Sequence, residues 1–193
     1  MSQLTIVEQH AFLGMHIPYK LGAIDLCHEI VELLRTRGDQ HVTTVTFGNV
    51  KTLEFKNARG VTNALAEHGF MSCRVMLEFL GIGLDQKQTG LSEYRKHRGD
   101  TVTLQDFGRP LLTVADVERQ LANDSLLLDG LVQTIRAGHK GGAHLTRGGD
   151  SLPLERLAAG CRATRTLVDH FLYGALNRVA PPSIGPLRSD RAT

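Results

Sequence analysis

Apolar residues recur at intervals of three and four along four stretches of the chain, which is the spacing of one face of an α-helix. In the first stretch, residues 19–37, these positions are Ile24, Cys27, Val31 and Leu34. In the fourth they are Leu154, Leu157, Cys161, Val168, Leu172, Ala175 and Val179. Pro153 fits the first turn of that helix, because backbone amides there have no carbonyl partner within the helix. Ala180-Pro181-Pro182 is expected to end the helix.

The second stretch, residues 57–82, is apolar on both sides of its stripe, so we expect a helix with a central place in the fold. The stripe consists of Val61, Leu65, His68, Ser72, Val75 and Phe79. Gly81 and Gly83 are expected to end this helix.

The third stretch begins at Thr113, where Thr113 and Asp116 have the spacing of a capping box. Its apolar positions are Val117, Leu121, Leu128, Leu131 and Ile135. Asp124 falls in the middle of this stripe, which indicates either an interior polar group or a local shift of the helix.

Two other segments lack a helical pattern. Residues 41–55 alternate apolar and polar positions around Gly48-Asn49, which predicts a small β-hairpin. Residues 84–110 are polar and rich in glycine, and they form a long connection of the kind that often carries function. The connection at residues 138–150 is short enough to make the third and fourth helices antiparallel neighbours.

These elements predict one all-α domain over residues 1–182. We expect a four-helix bundle of the up-and-down type with long connections and the small hairpin, followed by a disordered tail at residues 183–193. A length of 193 residues suits one domain, which needs neither a disulfide nor a metal to fold.

Composition narrows the function classes. The net charge of +2 gives no general attraction to nucleic acid, and aromatic residues make up 5% with no Trp, so few bases can be stacked. Three widely spaced cysteines, Cys27, Cys73 and Cys161, are expected to be buried free thiols in a cytoplasmic protein. No leader, membrane span, DNA-binding motif, nucleotide-binding loop or hydrolase motif is recognisable.

One stretch, Arg136 to Arg147, concentrates basic and imidazole side chains among three glycines. Cations can hold a phosphate, and an imidazole can transfer a proton near neutral pH. The alternative is a helix end, where basic residues favour the negative dipole and glycines let the chain turn. Residues 106–109 and Asp116 are candidate partners from the preceding connection.

Two segments resemble those of a known superfamily. His139-Lys140-Gly141-Gly142-Ala143-His144-Leu145-Thr146 is similar to an "NKxxAHLT" pattern, and Arg74-Val75-Met76-Leu77-Glu78-Phe79-Leu80-Gly81 is similar to "RxLLEFLG". Together they resemble small bacterial helical proteins that are similar to the HEPN superfamily. That resemblance implies a helical bundle, often a homodimer, which binds RNA or cleaves it without a metal in defence or toxin systems.

The resemblance implies His144 as the motif histidine. The motif arginine would stand at residues 137–139, which are alanine, glycine and histidine, while Arg136 lies one step earlier. Because the motif arginine is missing, we expect a protein that binds RNA or a degenerate ribonuclease. We expect no cofactor in either case. His144 is the candidate base, and the other candidate site residues are Lys140, His139, Arg136 and Arg147.

Two alternatives remain open at this point. Asp25-x-x-His28 has the spacing of carboxylate and histidine ligands in helical bundles, and His68 and His170 lie on other predicted helices, so three imidazoles can converge on a metal. Alternatively, the apolar rhythm of the fourth helix and the basic tail, with Arg188 and Arg191, serve a non-catalytic interaction with another protein.

Overall fold

The computed structural model describes residues 4–38, 43–47, 51–95, 101–141 and 153–182, and most of these residues are helical. The helices are α1 (Ile6–Ala11), α2 (Ile17–Arg37), α3 (Arg59–Leu80), α4 (Val114–Gln120), α5 (Ser125–Gly141) and α6 (Leu154–Val168). Four strands form two antiparallel hairpins: β1 (Thr43–Phe47) with β2 (Lys51–Phe55), and β3 (Ile82–Leu84) with β4 (Leu91–Glu93). None of the described helices is long and apolar enough to cross a membrane.

The four longest helices, α2, α3, α5 and α6, pack against one another around the apolar core. Fully buried side chains from all four fill it, among them Leu21, Ile24, Leu77, Leu80, Leu131, Ile135, Leu167 and Leu172. Helices α3 and α6 each contact the other three, so α3 shares its predicted central place with α6.

The first predicted helix, residues 19–37, is confirmed as α2 (Ile17–Arg37), and a short helix that the sequence did not indicate, α1, precedes it. Thr5 caps α1, because the Thr5 backbone amide donates to the Glu8 carboxylate at 2.8 Å and the Glu8 amide donates to the Thr5 hydroxyl at 3.3 Å. None of the residues of α1 is buried, so this helix has no apolar stripe that the sequence could show.

Pro18 explains how α1 continues into α2. Residues Phe12–His16 form a π-helical turn, and the Ile17 amide donates to the Phe12 carbonyl five residues earlier. Proline has no amide proton, so the Leu13 carbonyl loses its donor within the helix. The buried Tyr173 hydroxyl donates to that carbonyl at 3.3 Å.

A second π-helical turn, Asp169–Tyr173, continues α6 and carries Tyr173. Burial raises the pKa of the Tyr173 hydroxyl to about 12, so this group stays a neutral donor. The hydrogen bond from Tyr173 to Leu13 thus joins the two π-helical turns, which lie 160 residues apart in the chain.

The second predicted helix is α3, but its buried face differs from the predicted stripe. Ser72 and Phe79 are buried, whereas His68 is exposed and Val75 is 41% exposed. The buried arc is centred instead on Cys73, Met76, Leu77 and Leu80. Packing against three other helices requires a wider apolar arc than one stripe, which is why the expected stripe is displaced.

Gly81 ends α3 in a left-handed conformation with φ of 94°, as its position predicts. Gly83 is part of β3, where it pairs with Ser92 of the hairpin that the sequence did not indicate. Three residues per strand are too few to show an alternating pattern in the sequence.

The third predicted helix is two helices, α4 and α5. Ala122 and Asn123 adopt left-handed conformations between them, and the Asp124 carboxylate accepts the Leu126 and Leu127 amides at 2.9 and 3.2 Å. Asp124 is therefore an N-cap rather than an interior polar group, and the helical shift that we considered at this residue is a complete break.

The fourth predicted helix also ends early. After the π-helical turn, a 3-10 turn (Gly174–Leu176) leads to Asn177, which ends the helix in a left-handed conformation. Val179 is 95% exposed and does not belong to the apolar face. The Arg165 guanidinium holds the segment that follows by donating to the Pro181 carbonyl.

The predicted hairpin at residues 41–55 is confirmed as β1 and β2, with Val45 opposite Leu53. Three other predicted features lie outside the described residues, at least in part. They are the turn at Gly48-Asn49, the disordered tail at residues 183–193, and most of the connection at residues 138–150.

Helices α5 and α6 meet at two glycines. A Cβ at Gly130 would lie 2.6 Å from the Gly160 nitrogen, and a Cβ at Gly160 would overlap the Gly130 carbonyl and the Thr134 hydroxyl. Thr134 and Thr164 each donate to the glycine carbonyl one turn earlier, at 2.7 and 2.8 Å. These internal bonds satisfy both hydroxyls within the close helix contact.

We expect the Gly160→Ala variant to lower the free energy of unfolding by about 2 kcal/mol, because the new methyl group forces α5 and α6 apart. The measurement is urea unfolding followed by circular dichroism. Gly14→Ala is the matched control: apart from its own helix backbone and chain neighbours, no atom lies within 4 Å of the position that its new Cβ would take, so stability should rise by about 0.5 kcal/mol. Equal effects of the two substitutions would contradict the close contact.

We expect the Tyr173→Phe variant to lose about 1 kcal/mol of stability, because the Leu13 carbonyl is then buried without a donor. Tyr19→Phe removes the same hydroxyl from a side chain that is 63% exposed, and it should stay within about 0.5 kcal/mol of the parent protein. Both variants can be compared in the same urea titration. A neutral Tyr173→Phe would show that water or another donor serves the Leu13 carbonyl.

Candidate functional site

The C-terminal part of α5 packs closely on α3. A Cβ at Gly138 would lie 2.8 Å from the Phe70 carbonyl oxygen and 3.1 Å from Arg74 Cβ. Only a glycine lets the two backbones approach this closely. The contact places the end of α5, which carries Arg136 and His139, beside the middle of α3.

On α3, the facing charges are an ion pair. Arg74 Nε donates to Glu78 Oε1 at 2.7 Å across one helical turn, and the two side chains are 30% and 21% exposed. Partial burial weakens the screening of this pair by water and salt. It also orients the guanidinium, whose remaining donors can serve an anion.

His139 lies within the electrostatic reach of that pair. Burial lowers the pKa of the His139 imidazole, the Arg74 charge lowers it further, and the Glu78 charge opposes both effects. The ring is therefore neutral at physiological pH, in the state that can accept a proton. Arg74, Glu78 and His139 are called the α3–α5 cluster below.

The five predicted site residues divide into two groups. Arg136 and His139 are half-buried on α5. Lys140 belongs to the same helix, but its side chain lies outside the described residues, as do His144 and Arg147. The structure therefore brings His139 into a cluster and leaves the predicted roles of the other four as predictions.

Arg74 and Glu78 were not among the predicted site residues, although both belong to the "RxLLEFLG"-like segment. Their spacing of four residues on a helix was the available signal, since it places opposite charges on one face. The sequence could not show that this face meets α5 rather than solvent.

Alongside the α3–α5 cluster, a cavity of about 600 Å³ opens between the start of α2 and the second half of α3. Its lining is mostly apolar and consists of Phe12, His16, Ile17, Tyr19, Lys20, Val75, Met76, Glu78, Phe79, Thr101 and Val102. Glu78 belongs to both features, so the cavity and the α3–α5 cluster are adjacent.

The candidate partners from the preceding connection have structural roles. Asp106 accepts the Thr103 backbone amide at 2.8 Å and caps a 3-10 turn (Leu104–Phe107). Asp116 accepts the Thr113 amide at 2.9 Å, and this backbone hydrogen bond is the main cause that lowers the pKa of the Asp116 carboxyl. Both carboxylates are therefore helix caps, which corrects the expectation that they serve a site.

The metal hypothesis is wrong for the residues on which it rested. Asp25 forms an ion pair with Arg165 at 2.8 Å, His68 is exposed beside the Tyr19 ring, and His170 is exposed beside Phe171. His28, His68 and His170 do not converge, and the described part of the chain holds no group of three metal-ligating side chains. The predicted apolar stripe of α3 wrongly placed His68 in the core.

The three cysteines are buried free thiols, as predicted. Cys73 and Cys161 approach to 3.9 Å between their Sγ atoms. Burial raises the pKa of the Cys73 thiol well above its usual value, and the neighbouring Cys27 thiol is the main cause that raises the pKa of Cys161. Raised values keep these groups protonated and unreactive in the core.

The apolar face of the fourth predicted helix is buried inside the domain. Leu157, Cys161, Val168 and Leu172 are all buried against the other helices. This face is therefore not an interaction surface, which corrects one basis of the interaction hypothesis. The other basis, Arg188 and Arg191 in the tail, lies outside the described residues.

Comparison with known proteins assigns no relationship: no family model, curated protein or solved structure matches this chain. Its functional interpretation therefore rests on the residues and their geometry.

Two substitutions in the α3–α5 cluster should shift the pKa of His139 in opposite directions. Arg74→Gln removes a cation near His139 and should raise the pKa of that imidazole, whereas Glu78→Gln removes an anion and should lower it further. Nuclear magnetic resonance titration of the His139 ring protons measures both changes. Arg119→Gln, at a side chain that is 76% exposed on α4, should leave the His139 pKa unchanged. Shifts of the same sign in both cluster variants would contradict the geometry.

Proposed function

We propose that this chain is an RNA-binding protein of HEPN-like architecture. Its four long helices then form an up-and-down bundle, and the end of α5 with the segment that follows it faces the RNA. As the resemblance implies, we also propose that it acts in the bacterial cytoplasm as a homodimer within a defence or toxin-type system.

One observation carries this proposal. The two segments on which the resemblance rests are far apart in the chain, yet Gly138 of one helix lies against Phe70 and Arg74 of the other. His139 thereby comes near Arg74 and Glu78, so residues from both segments share one local electrostatic environment. Two independent matches are more informative when their residues meet at one place.

The chemistry of this place suits a phosphate backbone. Arg74 and Arg136 provide permanent cations, and guanidinium groups bind phosphate oxygens through several parallel donors. Lys140, His144 and Arg147 would extend the basic surface along the chain. A local patch of this kind is what a protein with a net charge of only +2 requires for binding RNA.

A second candidate function is metal-independent RNA cleavage, which the neutral His139 imidazole beside a guanidinium favours. In that reaction a histidine base, His144 or His139, takes the proton of a ribose 2′-hydroxyl, whose oxygen attacks the adjacent phosphorus. The bond from phosphorus to the 5′-oxygen breaks, and the leaving oxygen takes up a proton. Arg74 or Arg136 would stabilise the extra negative charge on the phosphate oxygens.

We expect the parent protein to bind a fluorescently labelled single-stranded RNA at low salt, and the Arg136→Gln variant to bind it about fivefold more weakly. Losing one phosphate contact should also reduce the slope of log affinity against log salt concentration by about 1. His144→Ala should weaken binding or abolish any cleavage while leaving the fold intact. Fluorescence anisotropy measures affinity, and gel electrophoresis with EDTA present measures cleavage.

Arg119→Gln is the matched control for this experiment, because Arg119 is an exposed arginine on α4, which precedes the opposite end of α5. It should bind RNA like the parent protein, and circular dichroism should show all three variants folded. The absence of RNA binding at low salt, or equal affinity for parent and both site variants, would reject the proposal.

A further inference from the structure

The cavity between α2 and α3 has the dimensions of a small-molecule site. Its volume of about 600 Å³ lies within the range of about 300–1,000 Å³ that is typical of ligand pockets. Phe12, Ile17, Met76 and Phe79 contribute to its apolar wall, as does Val102 from the connection before α4. Such walls favour an apolar ligand body, because burying that body removes apolar surface from water.

The charges of the lining decide which polar group the ligand carries. Glu78 is already neutralised by Arg74 at 2.7 Å. The Lys20 ammonium lies 5.6 Å from the centre of the Tyr19 ring, and no carboxylate within the described ranges forms an ion pair with it. The charge that the cavity offers to a ligand is therefore positive.

We propose that this cavity binds a small apolar monocarboxylate. Its carboxylate pairs with the Lys20 ammonium, and its hydrocarbon body lies against Phe12, Met76 and Phe79. A charge-assisted hydrogen bond of this kind selects an acid over an alcohol or an amine of the same length. The proposal does not depend on RNA binding, because it uses none of the predicted RNA-binding cations.

The position of Lys20 supports this selection. Lys20 is half-buried in the cavity lining, and its ammonium lies over the exposed ring of Tyr19. A lining lysine that is still partly exposed can meet the carboxylate of a ligand with its ammonium. His16, also in the lining, is exposed at the end of the π-helical turn and can add a ring N–H donor.

The experiment uses decanoate as the probe, with decanol and decylamine as ligands of the same length and different charge. Isothermal titration calorimetry with the full chain should show decanoate binding at one site. We expect decylamine and decanol to bind at least about tenfold more weakly, because neither can pair with the ammonium. Equal binding of decanoate and decylamine would reject a carboxylate site, as would the absence of decanoate binding.

Two pairs of variants locate the site. Lys20→Gln should weaken decanoate binding by about fivefold to tenfold, whereas Lys87→Gln, at an exposed lysine outside the cavity, should leave it unchanged. Val75→Trp should block the mouth, because Val75 is 41% exposed and lines the cavity, whereas Leu33→Trp, at a residue that is 48% exposed on α2, should not. If the cavity variant and its control bind decanoate equally well in either pair, the ligand lies elsewhere and the proposal is overturned.

RNA binding by the same variants separates this proposal from the proposed function. Lys20→Gln and Val75→Trp should retain the RNA affinity of the parent protein while losing decanoate. Failure of RNA binding in every protein, with decanoate binding preserved, would reject the proposed function alone.

Discussion

The close backbone contacts of α5 determine where the α3–α5 cluster lies. Gly130 brings this helix against Gly160 of α6, and Gly138, two turns later, brings it against Phe70 and Arg74 of α3. A helix that is held on two sides at separate levels has little freedom to slide or rotate, because any side chain at these positions would separate the backbones. The His139 imidazole is thereby kept near Arg74, and its lowered pKa is a consequence of helix packing.

The N-terminal helical segment is held by a different constraint. Pro18 withdraws one backbone donor, the helix widens into a π-helical turn, and the Leu13 carbonyl is satisfied by Tyr173 from the other end of the chain. Phe12 and His16, which belong to that turn, both line the cavity. The π-helical turn that precedes Pro18 therefore supplies part of the lining of the proposed ligand site, and one long-range hydrogen bond replaces the donor that proline lacks.

The sequence predicted the mostly helical class, the first hairpin, the central place of α3 and the buried thiols, because each of these follows from local periodicity or residue type. The sequence-based predictions failed where packing or backbone conformation, rather than apolar periodicity, determines the structure. The wide buried arc of α3 depends on three neighbouring helices, so His68 was wrongly placed inside. The early end of the fourth predicted helix depends on Asn177, whose left-handed conformation does not follow from the apolar pattern.

The candidate site shows the same division between local and distant information. His139 was found because it stands in a stretch rich in basic side chains, but Arg74 and Glu78 look in the sequence like an ordinary surface pair on a helix. Their importance comes from contacts with both the α3–α5 cluster and the cavity. Arg74 lowers the pKa of His139 in the cluster. Arg74 also neutralises Glu78 in the cavity lining, so Lys20 is the charge that a ligand meets there. One ion pair thus sets the electrostatic character of both the α3–α5 cluster and the cavity, even though the two are proposed to serve different ligands.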